Sequence, residues 1–308
     1  MCGFVGFTGD VENKEQVLKS MMDRIVHRGP DMGDTFFAPG VALGFRRLSI
    51  LDLTPAGSQP MSNEDGSVVI VFNGEIYNFM ELRGELEAKG YTFHCGADTE
   101  SLLHGYEEWG EEIVDKLRGM YAFVIWDKKK NRLFGARDIF GIKPFYYYKK
   151  GKEFMFGSEI KSFLSHPNFE KELDEDMIPL YLSYEYSPDE RTIFKNVFKL
   201  PGAHCFTYKN GELKVERYYK IEYKIEDDKS LEYWEDAITK EFTESVSMHQ
   251  IADVEVGCFL SSGVDSSYVV KEISKGTKKV KTFSVGYEEE KYSELPYAQD
   301  FSNVIGVP

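Results

Sequence analysis

The sequence contains little cysteine for its length, and its cysteines do not form close pairs. Four occur in 308 residues, at Cys2, Cys95, Cys205 and Cys258, without a Cys-x-x-Cys spacing. A disulfide framework needs a higher density of cysteine, and a cysteine-based zinc module needs closely spaced pairs. The cysteine pattern therefore argues against both of these classes of protein.

Long apolar runs and an excess of positive charge are also missing. No run approaches the roughly 20 apolar residues of a membrane span, and the first residues lack the basic and apolar regions of a signal peptide. Lys and Arg number 37 against 52 Asp and Glu, which gives a formal net charge of −15. This charge disfavours nucleic acid and anionic membranes as partners. We expect a soluble cytoplasmic protein.

The length and composition indicate a chain that can bury sizeable cores. At 308 residues the chain is long enough for two domains, by a prior of roughly 150 residues each. Hydrophobic residues make up 42% of the sequence and aromatic residues 15%, which argues against a disordered chain.

The N-terminal part of the sequence alternates helices with pairs of strands. Apolar residues at helical spacing predict helices over residues 12–26, 78–90 and 98–110. Asn78 followed by Glu81 predicts a reciprocal cap at the start of the second helix. Apolar or alternating runs predict strands over residues 2–7, 41–45, 68–72, 119–126, 132–136, 145–148 and 153–156. This order favours a layered α+β domain over a doubly wound sheet.

Cys2 becomes the N-terminal residue if Met1 is removed. It then carries a thiol and a free α-amine, and an amine with a pKa near about 8 can act as the base for its own thiol. Gly3 and Gly6 leave room for another group to approach closely. From its position alone, Cys2 is interpreted equally well as a nucleophile or as an accident of the chain start.

Other positions carry groups that suit an amide substrate, and each also has a simpler interpretation. Arg47 could pair with a carboxylate, although a surface salt bridge is the commoner role of arginine. Asn73 and Gly74 follow a buried strand and could form an oxyanion hole, although spacing alone favours a hairpin turn. Asp98 at a helix start could bind an amine, although by itself an N-cap is favoured.

Taken together, the motifs of this region resemble those of the class II glutamine amidotransferases, which are N-terminal-nucleophile hydrolases. The motifs are Met1-Cys2-Gly3, His27-Arg28-Gly29-Pro30-Asp31, Arg47-Leu48-Ser49-Ile50, Phe72-Asn73-Gly74-Glu75-Ile76-Tyr77-Asn78 and Asp98-Thr99-Glu100. Residues 136–147, 156–161 and 200–204 are similar to glutamine-hydrolysing asparagine synthetases in particular, although one proline of that family's Leu-Pro-Pro-Gly-His loop is absent. The resemblance implies an αββα sandwich.

The resemblance also implies a role for each matching residue. Cys2 attacks the glutamine side-chain amide, and Asn73 and Gly74 stabilise the tetrahedral oxyanion. Arg47 holds the α-carboxylate, and Asp98 holds the α-amine together with backbone near Gly74 and Glu75. The implied glutamine contacts are Arg47, Leu48, Ser49, Ile50, Leu51, Asn73, Gly74, Glu75 and Asp98.

A second domain is expected after a hydrophilic stretch. We place the first domain at residues 2–208, a connecting segment at 209–230 and the second domain at 231–308. The pattern of the last segment predicts a long amphipathic helix over 231–246, a strand over 254–260, a helix from 268 and a strand over 281–285.

The loop after the first strand of this segment reads Ser261-Ser262-Gly263-Val264-Asp265-Ser266-Ser267. A strand, a loop of small residues and a helix N-terminus form an anion site, while an ordinary turn is the alternative. No lysine follows the glycine, so the loop is not a P-loop. It resembles the Ser-Gly-Gly-x-Asp-Ser loop of ATP pyrophosphatases, with Ser262 in place of the first glycine. The implied ATP contacts are Phe259, Ser261, Ser262, Gly263, Asp265, Ser266 and Val285, with Asp265 also holding Mg²⁺.

The resemblance as a whole implies a glutamine-dependent asparagine synthetase that uses glutamine, aspartate and the ATP–Mg²⁺ complex without a prosthetic group, and it suggests a homodimer. The expected α/β ATP-pyrophosphatase domain stops soon after its second strand. We therefore expect a fragment that is limited to glutamine hydrolysis. The alternatives are an amidotransferase with a different acceptor and a non-catalytic binding module.

Overall fold

The computed structural model describes residues 1–226, 228–276 and 280–307. The chain divides into two compact units, Met1–Glu222 and Tyr223–Pro308. Among the described residues, no helix combines the length and the apolar character needed to cross a bilayer.

The first unit contains two six-stranded antiparallel sheets and four α-helices. Its strands are β1 (Gly3–Thr8), β2 (Met32–Ala38), β3 (Val41–Arg47), β4 (Met61–Ser62), β5 (Val68–Ile76), β6 (Gly119–Asp127), β7 (Arg132–Arg137), β8 (Tyr146–Lys150), β9 (Glu153–Gly157), β10 (Val197–Lys199), β11 (His204–Lys209) and β12 (Glu212–Arg217). Its helices are α1 (Lys14–Asp23), α2 (Phe79–Ala88), α3 (Asp98–Trp109) and α4 (Met177–Tyr184). The strand orders are β10-β8-β9-β1-β3-β2 and β12-β11-β7-β6-β5-β4.

Three buried clusters define four layers in this unit. The middle cluster lies between the sheets and includes Phe4 of β1 and Val71 of β5. A second cluster joins α1 to the outer face of the first sheet, and a third joins α2 and α3 to the outer face of the second sheet. The helix faces match the apolar stripes read from the sequence. The predicted αββα sandwich of an α+β domain is thereby confirmed.

The layered arrangement brings the ends of several strands and the start of α3 together near the N-terminus. In the antiparallel pairing of β1 with β3, Gly3 lies opposite Arg46, so Cys2 and Arg47 meet at the same edge. The middle cluster includes both Cys2 and residues of β5. Strand β5 ends at Ile76 and α3 begins at Asp98, and these two residues are hydrogen-bonded. A cleft forms at this junction.

Strand β5 is longer than predicted, and this corrects the interpretation of Asn73-Gly74 as a turn. The ladder with β6 continues through Asn73↔Ala122, Gly74↔Tyr121 and Ile76↔Gly119. A Cβ on Gly74 would lie 2.3 Å from the carbonyl oxygen of Met120. The glycine is therefore required by the close approach of β6, not by a turn conformation.

Two other local predictions were also wrong. Asn78 does not cap α2 with its side chain. Its amide instead accepts from the backbone N–H of Arg118 and donates to the carbonyl of Lys116, both at 2.9 Å. Asp98 is not the N-cap of α3, because Ala97 occupies that position. In both cases the side chain that local sequence assigned to a helix cap forms hydrogen bonds with residues that are distant in sequence.

The first unit is longer than the expected 2–208 because a hairpin crosses the proposed boundary. Strand β12 pairs with β11 over six residues, from His204↔Arg217 to Lys209↔Glu212. Strand β2, which pairs with β3 at the edge of the first sheet, has no counterpart in the sequence prediction. Its side chains are only partly covered, so it lacks the buried apolar run that marks a central strand.

The second unit consists of α5 (Leu231–Met248), β13 (Gly257–Phe259), α6 (Val264–Gly276), β14 (Lys281–Phe283) and α7 (Leu295–Ile305). Strands β13 and β14 pair in parallel, as a βαβ arrangement requires. A small cluster that includes Val246, Leu260 and Val270 forms the core. Phe259, Val264 and Val285 are at least 70% exposed. This unit therefore leaves much of its apolar surface uncovered.

Candidate active site

The cleft collects most of the predicted glutamine-binding residues. The predicted residues that line it are Cys2, Arg47, Leu48, Ile50, Leu51, Gly74, Glu75 and Asp98. Ser49 is not among the lining residues; its backbone N–H donates to Asp31 Oδ2 at 2.9 Å. Asn73 is buried beside the cleft and is described below.

The thiol of Cys2 lies against the loop that follows β3. The Leu48 N–H lies 3.4 Å from Cys2 Sγ, and the Leu48 carbonyl oxygen lies 3.5 Å from it. Burial raises the pKa of the Cys2 thiol, while the Leu48 backbone and the nearby N-terminal ammonium act in the opposite direction. With Met1 in place, the site therefore favours the neutral thiol.

Arg28 fixes the backbone of Cys2, and the sequence reasoning did not assign it a role. Its Nε donates to the Cys2 carbonyl oxygen at 2.9 Å, and its Nη1 lies 3.1 Å from Glu159 Oε1. Glu159 also contacts His27 Nε2 at 2.8 Å and Lys161 Nζ at 2.9 Å. The signal was present in the sequence, because Arg28 belongs to the His27–Asp31 motif, but its partner Glu159 lies at a sequence separation of 131 residues.

Asn73 places an unpaired amide on the Cys2 side of β5. Side chains alternate along a strand, so Asn73 shares the face of Val69 and Val71, which pack in the cluster between the sheets. Asn73 is 1% exposed, and its Nδ2 has no hydrogen-bond partner among the described residues. A buried donor without a partner is costly, which makes this amide available to an oxygen that enters the cleft.

Two carboxyl groups, Glu75 and Asp98, interact near the end of β5. Asp98 is 4% exposed, and its Oδ2 accepts the Ile76 N–H at 2.8 Å. Burial raises the pKa of Asp98, and backbone donors such as Ile76 act against this rise. Burial and then the Asp98 carboxylate raise the pKa of Glu75, while Lys143 acts in the opposite direction. Lys143 therefore offsets only part of the negative charge of this pair.

Arg47 is engaged by its own loop. Its Nη1 donates to the Thr54 carbonyl at 2.8 Å, and its Nη2 donates to the carbonyls of Leu51, at 3.1 Å, and Asp52. Room for the guanidinium requires Gly57, since a Cβ there would lie 2.4 Å from Nη2. Arg47 thus folds the loop over the cleft, in addition to presenting positive charge within it.

Lys143 is a second charged residue that sequence reasoning missed. It is 6% exposed, and its Nζ lies 3.7 Å from Met1 Sδ. Burial lowers its pKa, against the attraction of Glu75 and Cys2. Asp138 holds this segment in place by accepting the N–H groups of Ile142, at 2.8 Å, and Lys143, at 3.0 Å. The sequence showed the motif that contains both residues but not its approach to Cys2.

The loop between β13 and α6 is held by its own serine side chains. Ser261 Oγ and Ser266 Oγ are 2.9 Å apart, and the Gly263 N–H donates to Ser261 Oγ at 3.1 Å. Ser262 does not adopt a positive φ, so its Cβ causes no backbone strain there. Asp265 is the second residue of α6, which begins at Val264, and lies in the first turn of that helix.

Phe259 and Val285 lie at the carboxyl ends of the neighbouring strands of the second unit. Phe259 is the last residue of β13, and Val285 follows β14 by two residues. They are 84% and 70% exposed. The carboxyl edge of a parallel sheet is the usual ligand-binding edge of α/β units, and two exposed apolar side chains beside the Ser261–Ser266 loop offer a surface for a planar ring.

Comparison with known proteins gives matches over both units. Residues 1–219 match the family model described as a glutamine amidotransferase domain, and residues 237–308 match the model described as asparagine synthase. The chain is 42% identical to asparagine synthetase [glutamine-hydrolyzing] 1 of Bacillus subtilis, with 100% of this chain and 49% of that protein covered. It is 36% identical to asparagine synthetase [glutamine-hydrolyzing] 3 of the same organism, with 94% and 48% covered.

The chain spans about half the length of the curated relatives it matches. Among solved structures, glutamine phosphoribosylpyrophosphate amidotransferase from B. subtilis, in complex with ADP and GMP, matches with a TM-score of 0.54 and 17% identity. That match covers 94% of this chain and 67% of the other. At this identity the likeness shows the fold alone. The family model covers all of the first unit except its last three residues. The chain therefore belongs to the glutamine amidotransferase domain family.

Proposed function

We propose that the first unit hydrolyses glutamine to glutamate and ammonia, with Cys2 as the nucleophile. The observation that carries this proposal is the unpaired Nδ2 of Asn73, which is buried on the Cys2 side of β5. An amide donor placed beside a thiol is the arrangement that a tetrahedral oxyanion needs. A purely structural role for this asparagine would be expected to satisfy its amide.

The charged groups of the cleft match the two ends of an amino acid. The α-ammonium of glutamine binds between Asp98 and Glu75, where it relieves the repulsion from Asp98 that, after burial, raises the pKa of Glu75. The α-carboxylate binds Arg47, exchanging with a carbonyl of the 51–54 loop that the guanidinium now contacts. This exchange would couple substrate binding to the position of the loop, with Leu48, Ser49, Ile50 and Leu51 closing over glutamine.

The reaction requires Met1 to be removed, and Met1 is 57% exposed. The new α-amine of Cys2 accepts the thiol proton, and Sγ adds to the carboxamide carbon of glutamine. Asn73 Nδ2 and the Gly74 N–H stabilise the oxyanion. The amine returns its proton to the departing nitrogen as ammonia leaves, and water then hydrolyses the thioester to glutamate. With Met1 in place, burial and the positive charge of Arg28 and Lys143 lower the pKa of the Met1 amine, and we expect the same surroundings to favour the neutral, basic form of the Cys2 amine.

The second unit supports a proposal for the use of ammonia. We propose that Ser261, Ser262, Gly263 and Ser266 bind the pyrophosphate of ATP and that Asp265 contacts its Mg²⁺. Phe259 and Val285 pack on the adenosine. The complete protein would convert aspartate and ATP to β-aspartyl-AMP and pyrophosphate, and ammonia would displace AMP to give asparagine. We place this activity in the cytoplasm and expect a homodimer.

Glutamate release by the purified chain tests the first activity. Mass spectrometry should show that Met1 is absent, and a glutamine analogue with an electrophilic carbon should label Cys2. Cys2→Ala should reduce glutamine hydrolysis to background, while Cys205→Ala, on β11 outside the cleft, should leave it unchanged. Glutamine hydrolysis that survives in Cys2→Ala contradicts the mechanism. Retained Met1 and an unlabelled Cys2 would instead favour the non-catalytic module.

Product analysis tests the second activity separately. Aspartate, ATP and ammonia should give asparagine, AMP and pyrophosphate, and Cys2→Ala should not affect this ammonia-dependent reaction in the complete protein. Formation of a different amide from another carboxylic acid would identify the alternative, an amidotransferase with a different acceptor. The absence of any acceptor reaction together with intact glutamine hydrolysis would limit the chain to a glutaminase.

A further inference from the structure

His104, which lies outside the cleft on α3, has one ring nitrogen that the fold leaves without a hydrogen bond. The residue is 1% exposed. Its Nδ1 lies 2.8 Å from Glu107 Oε2, so this nitrogen carries a proton and donates it. In a neutral ring the other nitrogen, Nε2, is then an acceptor. Nε2 is buried and has no hydrogen-bond partner among the described residues, which is uncommon for a polar atom in a folded core.

Two carboxylate oxygens, which cannot donate to it, lie close to Nε2. Glu64 Oε1 lies 3.7 Å away and Glu100 Oε1 lies 3.9 Å away. These distances are too long for hydrogen bonds. Two ligands at a tetrahedral angle, each about 2.0–2.1 Å from one Zn²⁺, lie roughly 3.4 Å apart. The gap between Nε2 and Glu64 Oε1 is therefore close to the spacing of two ligands on a shared cation.

The surroundings hold the imidazole in the orientation that a cation ligand needs. Its ring packs against Tyr91 and Phe93, with centroid distances of 5.2 and 5.0 Å. Glu107, which accepts from Nδ1–H, is itself held by Asn63 Nδ2 at 2.6 Å. A carboxylate behind a histidine in this way fixes the tautomer and raises the basicity of the other nitrogen, as in the outer shell of many metal sites.

Negative charge is concentrated at this position. Glu64, His104 and Glu107 each offer one possible ligand atom, and these three atoms lie within 4.8 Å of one another. The Glu100 carboxylate accepts the backbone N–H groups of His94, at 2.8 Å, and Cys95, at 2.9 Å, which holds it in place. Carboxylate oxygens of Glu64 and Glu100 lie 3.7 and 3.9 Å from Nε2, and Glu107 lies against Nδ1. The negative charge of these groups would attract a cation to Nε2.

We propose that His104 Nε2 and the Glu64 carboxylate bind a divalent metal ion of the zinc class, with water in its remaining positions. Glu107 orients the ring, and Glu100, whose Oε1 lies 3.9 Å from Nε2, adds negative charge. The imidazole selects Zn²⁺ over Mg²⁺, which prefers an all-oxygen set. Glu64 is 52% exposed at its side chain and gives the ion a route from solvent.

Such an ion would connect two elements that lead to the cleft. Glu64 lies between β4 and β5, and β5 continues to Asn73. His104 lies on α3, which begins at Asp98. The bound ion would therefore tie the β4–β5 turn to α3 and stabilise the first unit, without entering the proposed chemistry at Cys2.

Calorimetric titration of Zn²⁺ into chelator-treated chain tests this site, with Cys2→Ala as the background so that the proposed nucleophile does not compete. One equivalent of Zn²⁺ should bind at pH 8, and binding should weaken at pH 6 as protons compete for Nε2. His104→Gln should abolish it, and Glu64→Gln should weaken it about 10-fold or more. Glu81→Gln, the same charge change at an exposed position on α2, should bind as the background does. Mg²⁺ should not compete.

Two spectroscopic measurements distinguish a histidine–carboxylate site from a cysteine site. The Co²⁺ form should show d–d bands without a thiolate charge-transfer band, and ¹⁵N spectra of metal-free protein at pH 8 should show a proton on Nδ1 of His104 only. No uptake of Zn²⁺, uptake that His104→Gln does not change, a thiolate band, or a His104 ring protonated on both nitrogens at pH 8 would each overturn the proposal. Circular dichroism of both variants checks that they fold.

Discussion

The carboxylate of Asp98 accepts the backbone N–H of Ile76 at 2.8 Å, and this bond joins the first residue of α3 to the last residue of β5. The bond uses one carboxylate oxygen, which leaves the negative charge of a nearly fully buried group beside Glu75. Asp98 thus has two separable properties, an acceptor that holds the fold and a charge that the fold does not balance.

Asp98→Asn separates these two properties. Asparagine keeps an oxygen that can accept from Ile76 but removes the charge that would bind the α-ammonium of glutamine. Loss of one partner of a buried charge pair costs about 2–5 kcal/mol, so kcat/KM for glutamine should fall by at least roughly 30-fold while the fold persists. Glu81→Gln should leave kcat/KM unchanged. Steady-state glutaminase kinetics check this, and an unaltered kcat/KM in Asp98→Asn would remove Asp98 from the binding site.

Asn73→Ala should lower kcat far more than it raises KM. The unpaired Nδ2 would act on the oxyanion, which exists only in the transition state and intermediate, so ground-state binding should change little. Removal of one such donor costs roughly 10²–10³-fold in kcat. Asn131→Gly, in the turn between β6 and β7 with a φ of 49°, serves as the control. A variant that changes KM alone would show that Asn73 binds substrate and not the oxyanion.

Gly74→Ala should destabilise the first unit, whereas Gly84→Ala should not. A Cβ at Gly74 would lie 2.3 Å from the Met120 carbonyl oxygen, and a Cβ at Gly84 meets nothing within 4 Å. Overpacking of this kind costs about 1–3 kcal/mol, while Gly→Ala inside helix α2 should add about 0.5–1 kcal/mol of stability. Urea unfolding followed by tryptophan fluorescence measures both. Equal stability of the two variants would contradict the close approach of β5 and β6.

Glu75→Gln should change how stability depends on pH. Burial and Asp98 raise the folded-state pKa of Glu75 above its ordinary value of 4.5. Its contribution to stability is therefore fully present below the unfolded-state pKa and is lost as the pH rises through the folded-state value. Glu75→Gln should be more stable than the parent at pH 8, by on the order of 1 kcal/mol, and similar to it at pH 4.5.

The same variant should bind glutamine more weakly, because it loses a carboxylate that faces the α-ammonium. Urea midpoints of parent, Glu75→Gln and Glu81→Gln at several pH values between 4.5 and 8 provide the measurement, and Glu81→Gln should follow the parent. Parallel curves for the parent and Glu75→Gln would show that Glu75 has no raised pKa in the folded protein.

Much of the fold was accessible from the sequence because it depends on local periodicity. The apolar spacing of α1 and α3 and the apolar run of β5 predicted buried faces, and the structure confirms them. Strand β2 was not predicted, because it lies at a sheet edge and its side chains are only partly covered. The hairpin β11–β12 was missed for a related reason. The residues of β12 are mostly exposed, so buried and exposed positions alternate only weakly along it.

The sequence by itself determined which residue types were available for the chemistry: a thiol at position 2, an Asn-Gly pair after an apolar run, and an Arg and an Asp in recognisable motifs. Tertiary structure alone decided what those groups do. Asn73-Gly74, which local sequence assigned to a turn, belongs to a strand because it pairs with β6. Asp98, which local sequence assigned to a helix cap, is a buried carboxylate that bonds to Ile76. The contacts of Arg28 and Lys143 with the N-terminus, like the approach of Glu64 to His104, join residues that are distant in sequence. Local periodicity carries no information about such pairs, because burial and hydrogen bonding between distant segments arise only when the layers pack.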